Sequence, residues 1–395
     1  MDHGRDYRTS HPWITFQFRI EQDLLWCLLG EAAAQCQHLA GTPLQPALAD
    51  ELSGVYLVKG AVATTAIEGN TLTEDEVREL LDSRRKLPPS QQYLQQEIEN
   101  VIEGLRRIDE AARAGEPFTV TPEWIKDQNR LILKDLDTED HVVPGEYTEV
   151  RLFAGNYRGA PPQDVEYLVD RLCAWLSELL SPLDDPSSSN EMRLFCSFVA
   201  ATLAHLYIAW IHPFGDGNGR TARLLECAIL AHSGVVPWVS SNLLSDHYNR
   251  TRSRYYQRLD RASRASDVRG FITYSAQGYV DMLREQIDRV QVQQRRVAWV
   301  NYVHGVMQRT PDGATQKRQR MVVLSLPTDR GVRRAEIRRL TPDLAEMYAG
   351  KTDKTLSRDV NRLHELGLIR RQGNLWWSRI DLMDAFLPIA RNSSY

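Results

Sequence analysis

From Leu194 to Ile211 the chain reads LFCSFVAATLAHLYIAWI, eighteen residues without a formal charge, and it passes directly into HPFGDGNGRTAR. Eighteen apolar residues just reach the length of a membrane span. This run stands alone, carries Ser197, Thr202 and His205, and ends in a loop with three glycines in five residues. A helix that is apolar all round and leads into a polar loop is a central core helix, so no membrane contact is expected. Around such an axis the chain is expected to be all-α.

The remaining periodicity points the same way. Gln22 to Ala40, Thr73 to Lys86 and Gln95 to Ala112 read as amphipathic helices, and Tyr279 to Arg309 as a long polar-rich one. Thr73 followed three residues later by Glu76 is a capping-box pattern. Breaks fall at 114–117 (AGEP), 181–190 (SPLDDPSSSN) and 310–314 (TPDGA). Strand signal is scarce. Glu149 to Ala154 (EVRLFA) lies between the ProGly at 144–145 and the GlyAsn at 155–156, with ProPro at 161–162, and reads as a short hairpin or flap. Leu368 to Ile380, with QGN at 372–374 as its turn, reads as a second hairpin.

The net charge of −4 conceals an asymmetry: residues 317–395 hold 16 Lys and Arg against 9 Asp and Glu, so a basic tail follows an acidic body. This switch and the break at 310–314 divide the chain into a helical region over 1–112, a core over 113–280, a connecting helix and linker over 281–316, and a C-terminal domain over 317–395. The five cysteines form no CxxC pair, and the first thirteen residues carry charge without an apolar segment. A disulfide or zinc scaffold and a secretory leader are therefore not expected, and a reducing cytoplasm fits best. Cys196 and Cys227 read as small buried hydrophobes, and His205 as a buried, hydrogen-bonded histidine.

The chemistry concentrates at 212–223. Gly215, Gly217 and Gly219 permit positive φ and close approach of a ligand to the backbone. The following run TARLLECAIL starts a helix, whose free N–H groups and positive dipole end suit phosphates. Arg220 and Arg223 are three apart on one helix face and can reach a polyphosphate together. Asp216 offers the hard oxygen that a phosphate-bound Mg²⁺ takes. His212 has an ordinary pKa near 6.5, suited to a general base at neutral pH. Phe214 is read as an anchor in the core.

These twelve residues resemble the signature loop of the Fic family, HxFxDGNGRxxR, at every defining position. TTAIEGN at 64–70 resembles the family's inhibitory-helix motif, [ST]xxxE[GN], with Glu68 as its acid. PGEY at 144–147 resembles the start of the flap, and Tyr255 and Tyr256 the segment lining the nucleoside pocket. The resemblance covers about residues 60–280. It implies a mainly helical Fic fold with a short β-hairpin flap, and transfer of AMP from ATP to a protein hydroxyl. In that reading His212 deprotonates the target Ser, Thr or Tyr, and Asp216 holds Mg²⁺ between the α- and β-phosphates. Gly217, Asn218, Gly219 and Thr221 bind the nucleotide, Arg220 the β-phosphate and Arg223 the γ-phosphate, while Glu68 inhibits. The implied partners are ATP, a target protein that the sequence does not name, and the protein itself through auto-modification; a homodimer stays open. Two positions depart from the pattern. Thr148 stands where many relatives carry an arginine, and Ala222 replaces a common glycine. Removal of AMP, or transfer of another phosphate-containing group, uses the same loop and remains an alternative. A DNA-binding regulator that senses ATP is the third; the intact His212 argues against it, because sensing needs no base.

The C-terminal region resembles a winged helix-turn-helix. Thr352 or Asp353 caps its recognition helix and Gly367 ends it. Val360, Leu363 and Leu366 form the inward stripe, and Lys354, Arg358 and Arg362 face outward, where a DNA backbone can be met. Asp353, Asp359 and Glu365 interrupt that helix, so tight DNA binding is not expected.

Overall fold

The computed structural model describes residues 5–19, 23–83, 87–154, 157–308 and 313–384. The chain forms two compact units, divided between Ile287 and Asp288. The first contains α1 (Tyr7–Ser10), α2 (Asp23–Ala40), α3 (Pro46–Ile67), α4 (Glu74–Ser83), α5 (Gln92–Ala114) and α6 (Pro122–Ile132). The two-residue strands β1 (Phe153–Ala154) and β2 (Tyr157–Arg158) follow. Then come α7 (Pro162–Leu180), α8 (Asn190–Ile211), α9 (Asn218–Ala231), α10 (Leu243–Arg250), α11 (Arg252–Arg264) and the start of α12 (Val268–Met307).

The uncharged run is the axis of this unit. Between Leu194 and Ile211 only Cys196 and Ala209 are half-buried, and every other residue is buried. By length and composition α8 can cross a membrane, yet nearly all of its most apolar stretch is enclosed by protein. It packs most extensively against α9, and also against α7 and α2. Its serine and threonine are satisfied locally: Ser197 donates to the Arg193 carbonyl and Thr202 to that of Phe198. All five cysteines are unpaired, and Cys227 is buried.

The capping box forms as expected. The Thr73 N–H donates to the Glu76 carboxylate at 2.8 Å, and the Glu76 N–H to the Thr73 hydroxyl at 3.3 Å. The expected helix ends at 84–86 and at Gln22 lie outside the described residues. The break at 114–117 is a left-handed helix cap at Gly115, φ 68°, which lets the Glu116 N–H reach the Ala111 carbonyl. Periodicity missed α3 because this helix is apolar on most sides. It begins on Pro46, whose missing N–H costs nothing at a first turn, and it packs against α5 and α10. Lys59 on α3 and Asp246 on α10 form a buried ion pair at 2.9 Å.

The strand expected over 149–154 is shorter. Pairing is confined to Phe153↔Arg158 and Ala154↔Tyr157, and the turn at 155–156 lies outside the described residues. The Thr148 hydroxyl is the reason. It donates to the Val150 carbonyl and accepts from the Val150 N–H, taking both groups a strand would pair.

The second unit holds the end of α12, then α13 (Ala314–Ser325), β3 (Val332–Arg333), α14 (Arg334–Ile337), α15 (Pro342–Met347), α16 (Asp353–Glu365), β4 (Ile369–Gln372) and β5 (Leu375–Ser378). The sheet is antiparallel with order β3-β5-β4, and the register Gln372↔Leu375 closes the hairpin on Gly373 and Asn374. With the short α14 and α15 together standing for the second helix, this is the helix, strand, helix, helix, hairpin order of a winged helix. Val360 and Leu363 are fully buried, whereas Leu366 is only partly so. Lys354, Arg358 and Arg362 are exposed. Asp359, one of the three acids read from sequence as interrupting the recognition helix, is 2% exposed and paired with Arg318. The unit boundary precedes the break at 310–314, of which 310–312 lie outside the described residues, because α12 runs unbroken past Ile287.

Candidate active site

The joint between α8 and α9 is built so that the backbone reverses without leaving the core. His212 ends α8 in the left-handed region, φ 54° and ψ 58°, a conformation a side-chain-bearing residue adopts at a cost. Phe214, wholly buried, anchors the loop; burial of such a ring contributes roughly 2–3 kcal/mol. The Asn218 side chain closes the loop on itself, accepting from the Phe214 N–H at 2.9 Å and donating to the Phe214 carbonyl at 2.6 Å. Gly217, φ 77°, caps α9.

Asn129 on α6, which sequence reasoning missed, ties three parts together. It donates to the Asp216 carbonyl at 2.9 Å and to the Thr221 hydroxyl at 3.3 Å, and it accepts from the Gly145 N–H at 3.0 Å. A fully buried amide on an amphipathic helix leaves no mark in the sequence. The flap segment joins the loop through the Thr148 N–H to the Pro213 carbonyl and a bridge between Tyr147 and Phe214.

A cavity of about 530 Å³ opens over this joint, of small-molecule size. Of the residues singled out in the sequence, Glu68, His212, Asn218, Gly219, Arg223, Tyr255 and Tyr256 line it; Tyr157, Trp210, Leu259 and Asp260 were not foreseen. The Gly217 amide meets the Asp216 carboxylate, and the Thr221 hydroxyl is taken by Asn129. Helix geometry leaves the amides of Asn218, Gly219 and Arg220 without an intrahelical acceptor, an arrangement suited to an anion.

Burial pulls the His212 imidazole below its ordinary pKa, against the opposing pull of the Ala209 carbonyl, Glu68 and Asp216. Its Nδ1 lies 3.4 Å from the Ala209 carbonyl. That oxygen only accepts, so Nδ1 carries the proton and Nε2 keeps a lone pair.

The two arginines are both engaged. Arg220, 6% exposed, donates to Glu97 at 2.7 Å and to both oxygens of Asp216 at 3.1 and 3.2 Å, while its Nε has no partner among the described residues. Glu97 in turn accepts from Asn70 at 2.8 Å. Burial raises the Glu97 carboxyl, Arg220 and Asn70 lower it, and Glu68 and Asp216 push it up again; the balance lies above its ordinary value. Arg223, 2% exposed, donates to the Glu68 carboxylate at 2.6 Å, to the Thr64 carbonyl at 3.0 Å and, through Nε, to the Thr64 hydroxyl. Glu68 caps α3, and it reaches the cavity because Gly219 presents no Cβ to obstruct it. Burial works to raise its carboxyl, but Arg223, with Arg220 and Arg252 further off, outweighs burial and holds it below the ordinary value. Tyr255 is buried with its hydroxyl on His205, whereas Tyr256 is half exposed and donates to the Ile67 carbonyl at 3.3 Å.

A pair of core helices joined by a glycine-bearing loop, with a buried histidine and two buried arginines around it, has the chemistry to hold a polyphosphate. Residues 119–230 match the Fic/DOC family, and the chain carries a Fic/DOC domain there. It is 27% identical over 234 residues to protein adenylyltransferase fic-1 of Caenorhabditis elegans, covering 58% of this chain and 42% of that one. To protein adenylyltransferase Fic of Nematostella vectensis it is 28% identical over 216 residues, covering 54% and 44%. The chain thus spans less than half the length of these curated relatives. In fold it is similar to a Fic family protein from Desulfovibrio desulfuricans, with a TM-score of 0.53, 18% identity, and 91% and 97% of the two chains covered.

Proposed function

We propose that this protein is a protein adenylyltransferase, moving AMP from ATP to a Ser, Thr or Tyr hydroxyl of a target protein and of itself, and that Glu68 holds it off. The observation that carries the reading is the pairing of Arg223 with Glu68 beside a neutral His212, over the open amides of α9. The names of the curated relatives support it. His212 Nε2 takes the proton of the attacking hydroxyl as its oxygen bonds to the α-phosphorus, and the bond to the pyrophosphate oxygen breaks. The amides of Asn218, Gly219 and Arg220 hold the phosphates in line. Asp216, its side chain 54% exposed, fits an ion that arrives with the nucleotide, since Mg²⁺ is commonly held by one carboxylate and substrate phosphates. Mg²⁺ bound there supplies positive charge against the phosphates.

The target segment docks along the short flap strand through backbone groups, beside the exposed Val150 and Phe153. The exposed Lys354, Arg358 and Arg362 of the winged helix make at most weak contact with DNA, Arg362 being already tied to Glu365 at 3.3 Å.

The test incubates Glu68→Gly protein with ATP labelled on the α-phosphate and a cell lysate, with His212→Ala in the same background as control. Label is expected on protein in the first. In the second it falls by about 10²-fold or more while ATP binding is kept. Label persisting without His212, or ATP affinity lost along with it, overturns the assignment.

A further inference from the structure

Arg220 is buried on α9 between two carboxylates that are held in different ways. One is Glu97 on α5, its side chain 11% exposed, whose Oε1 accepts from Arg220 at 2.7 Å. Its Oε2 accepts from the Asn70 amide at 2.8 Å. Asn70, just beyond the end of α3, is fixed in turn. The same amide nitrogen donates to the Leu94 carbonyl at 2.9 Å, and the amide oxygen accepts from the Leu72 N–H at 3.1 Å. The other carboxylate is Asp216, whose oxygens accept from Arg220 at 3.1 and 3.2 Å and whose side chain is 54% exposed. Among the described residues, the one further bond of that carboxylate is to the Gly217 N–H of its own turn.

Two carboxylates on one guanidinium leave one negative charge unbalanced. Glu97 cannot turn away without leaving the buried Asn70 and Arg220 short of an acceptor, which is costly. Asp216 can turn, because water reaches it and because Glu97 still balances Arg220 when it does. The surplus charge is therefore available at Asp216, the exposed end of the network. A carboxylate with both oxygens free is what a hard divalent cation takes.

We propose that Glu97 is a positioning residue for divalent-cation binding: anchored by Asn70, it keeps Arg220 paired so that the Asp216 carboxylate can leave that arginine for a cation arriving with the nucleotide. With Glu97 neutral, Arg220 and Asp216 balance each other, and a cation has to break the ion pair that then holds Arg220 alone. The inference rests on the proposed role of Asp216 toward Mg²⁺, but not on transfer itself.

The test uses full-length Glu68→Gly protein with and without Glu97→Gln, which keeps the shape and removes the charge. Binding of ATP is measured by calorimetry with Mg²⁺ and again with a chelator in its place, and thermal melting checks folding. A pH of about 8, far above the carboxylate range, keeps the raised Glu97 carboxyl ionised. Glu97→Gln is expected to reduce the gain in ATP affinity that Mg²⁺ brings by about tenfold, while metal-free ATP binds as before or slightly tighter. With Asp216→Asn already present, it should remove no further gain. Equal weakening with and without Mg²⁺ marks a merely structural glutamate and overturns the proposal. So does an additive loss on top of Asp216→Asn. If Glu97→Gln does not fold, Asn70→Ala decides, since it keeps the charge but unmoors the carboxylate. A smaller loss of the same Mg²⁺-specific kind is expected there, and an unchanged gain overturns the proposal. A gain that depends on Asp216 but not on Glu97 defeats the positioning role alone. A gain that Asp216→Asn leaves intact defeats the reading of Asp216 as the ion's ligand, and this proposal with it.

Discussion

Arg223 with Glu68 in the first unit and Arg318 with Asp359 in the second are both arginine–carboxylate pairs brought together from distant sequence, 2.6 and 2.7 Å apart. Both arginines are buried. The carboxylates differ: the Glu68 side chain is 33% exposed and that of Asp359 only 3%. Asp359 also accepts from Gln319 at 2.9 Å and from the Tyr348 hydroxyl at 2.9 Å, so donors from three side chains converge on it. The Glu68 carboxylate has Arg223 as its one hydrogen-bond partner among the described residues, at the end of a helix and at the mouth of a cavity. Arg223, by contrast, keeps the Thr64 hydroxyl and carbonyl when Glu68 leaves. The first pair is built to come apart at one side and the second is built to stay.

The largest effect expected from this difference is on stability. Asp359→Ala leaves Arg318 and Tyr348 buried without their acceptor and should destabilise the second unit by about 3 kcal/mol or more. Glu68→Ala should cost the first unit less, about 1.5–3 kcal/mol for the one charge-assisted bond it removes, because the carboxylate is partly solvated and Arg223 keeps both bonds to Thr64. Urea unfolding of the two variants separates them. Comparable losses would erase the distinction between a structural and a releasable pair.

The next effect is on activity. Glu68→Gly should raise self-modification and transfer to targets by roughly tenfold or more, since one charge-assisted bond is worth about 1.5–3 kcal/mol. Arg223→Ala in that background should remove most of the gain. Unchanged or lower labelling in Glu68→Gly would make Glu68 a structural residue or part of an AMP-removing site.

Much of the reacting loop was legible because its chemistry is contiguous. A base, a carboxylate, an amide and two arginines lie within twelve residues, and the segment 64–70 carries Thr64 and Glu68 at the spacing that lets both meet Arg223. What was not legible depends on long-range packing. Glu97 is one glutamate among several on an amphipathic helix, and only the fold sets it against Arg220, 123 residues away. Asn129 and Asp260 are ordinary helix polar residues until the loop and cavity are placed beside them. The burial of Asp359 was not legible because the same stretch of helix holds outward Arg358 and Arg362 as well as an inward acid, and sequence does not say which way the acid turns. The flap strand was overread because β-branched and aromatic residues signal extension, while the competing Thr148 hydroxyl does not show in a propensity.

The smallest effect tests whether Glu68 is coupled to the chemistry as well as to Arg223. The His212 imidazole must be neutral to accept a proton, and burial holds its pKa below 6.5. Transfer, followed as kcat/KM, should therefore lie on a plateau at pH 7 and be lost only as pH falls through that lowered value. The Glu68 carboxylate favours the charged imidazole and so draws this value upward. Removing it lets burial act with less opposition, and the acid limb of Glu68→Gly should lie at lower pH than that of the residual wild-type activity. The shift is expected to be a fraction of a pH unit, since the charge acts through space and Asp216 still opposes burial. Profiles of kcat/KM against pH between about 5 and 8 measure it, 6.5 being the ordinary imidazole value. A limb centred above 6.5 in Glu68→Gly, or one displaced to higher pH than in the wild type, would show that the electrostatics of the cavity are not those of a buried neutral base.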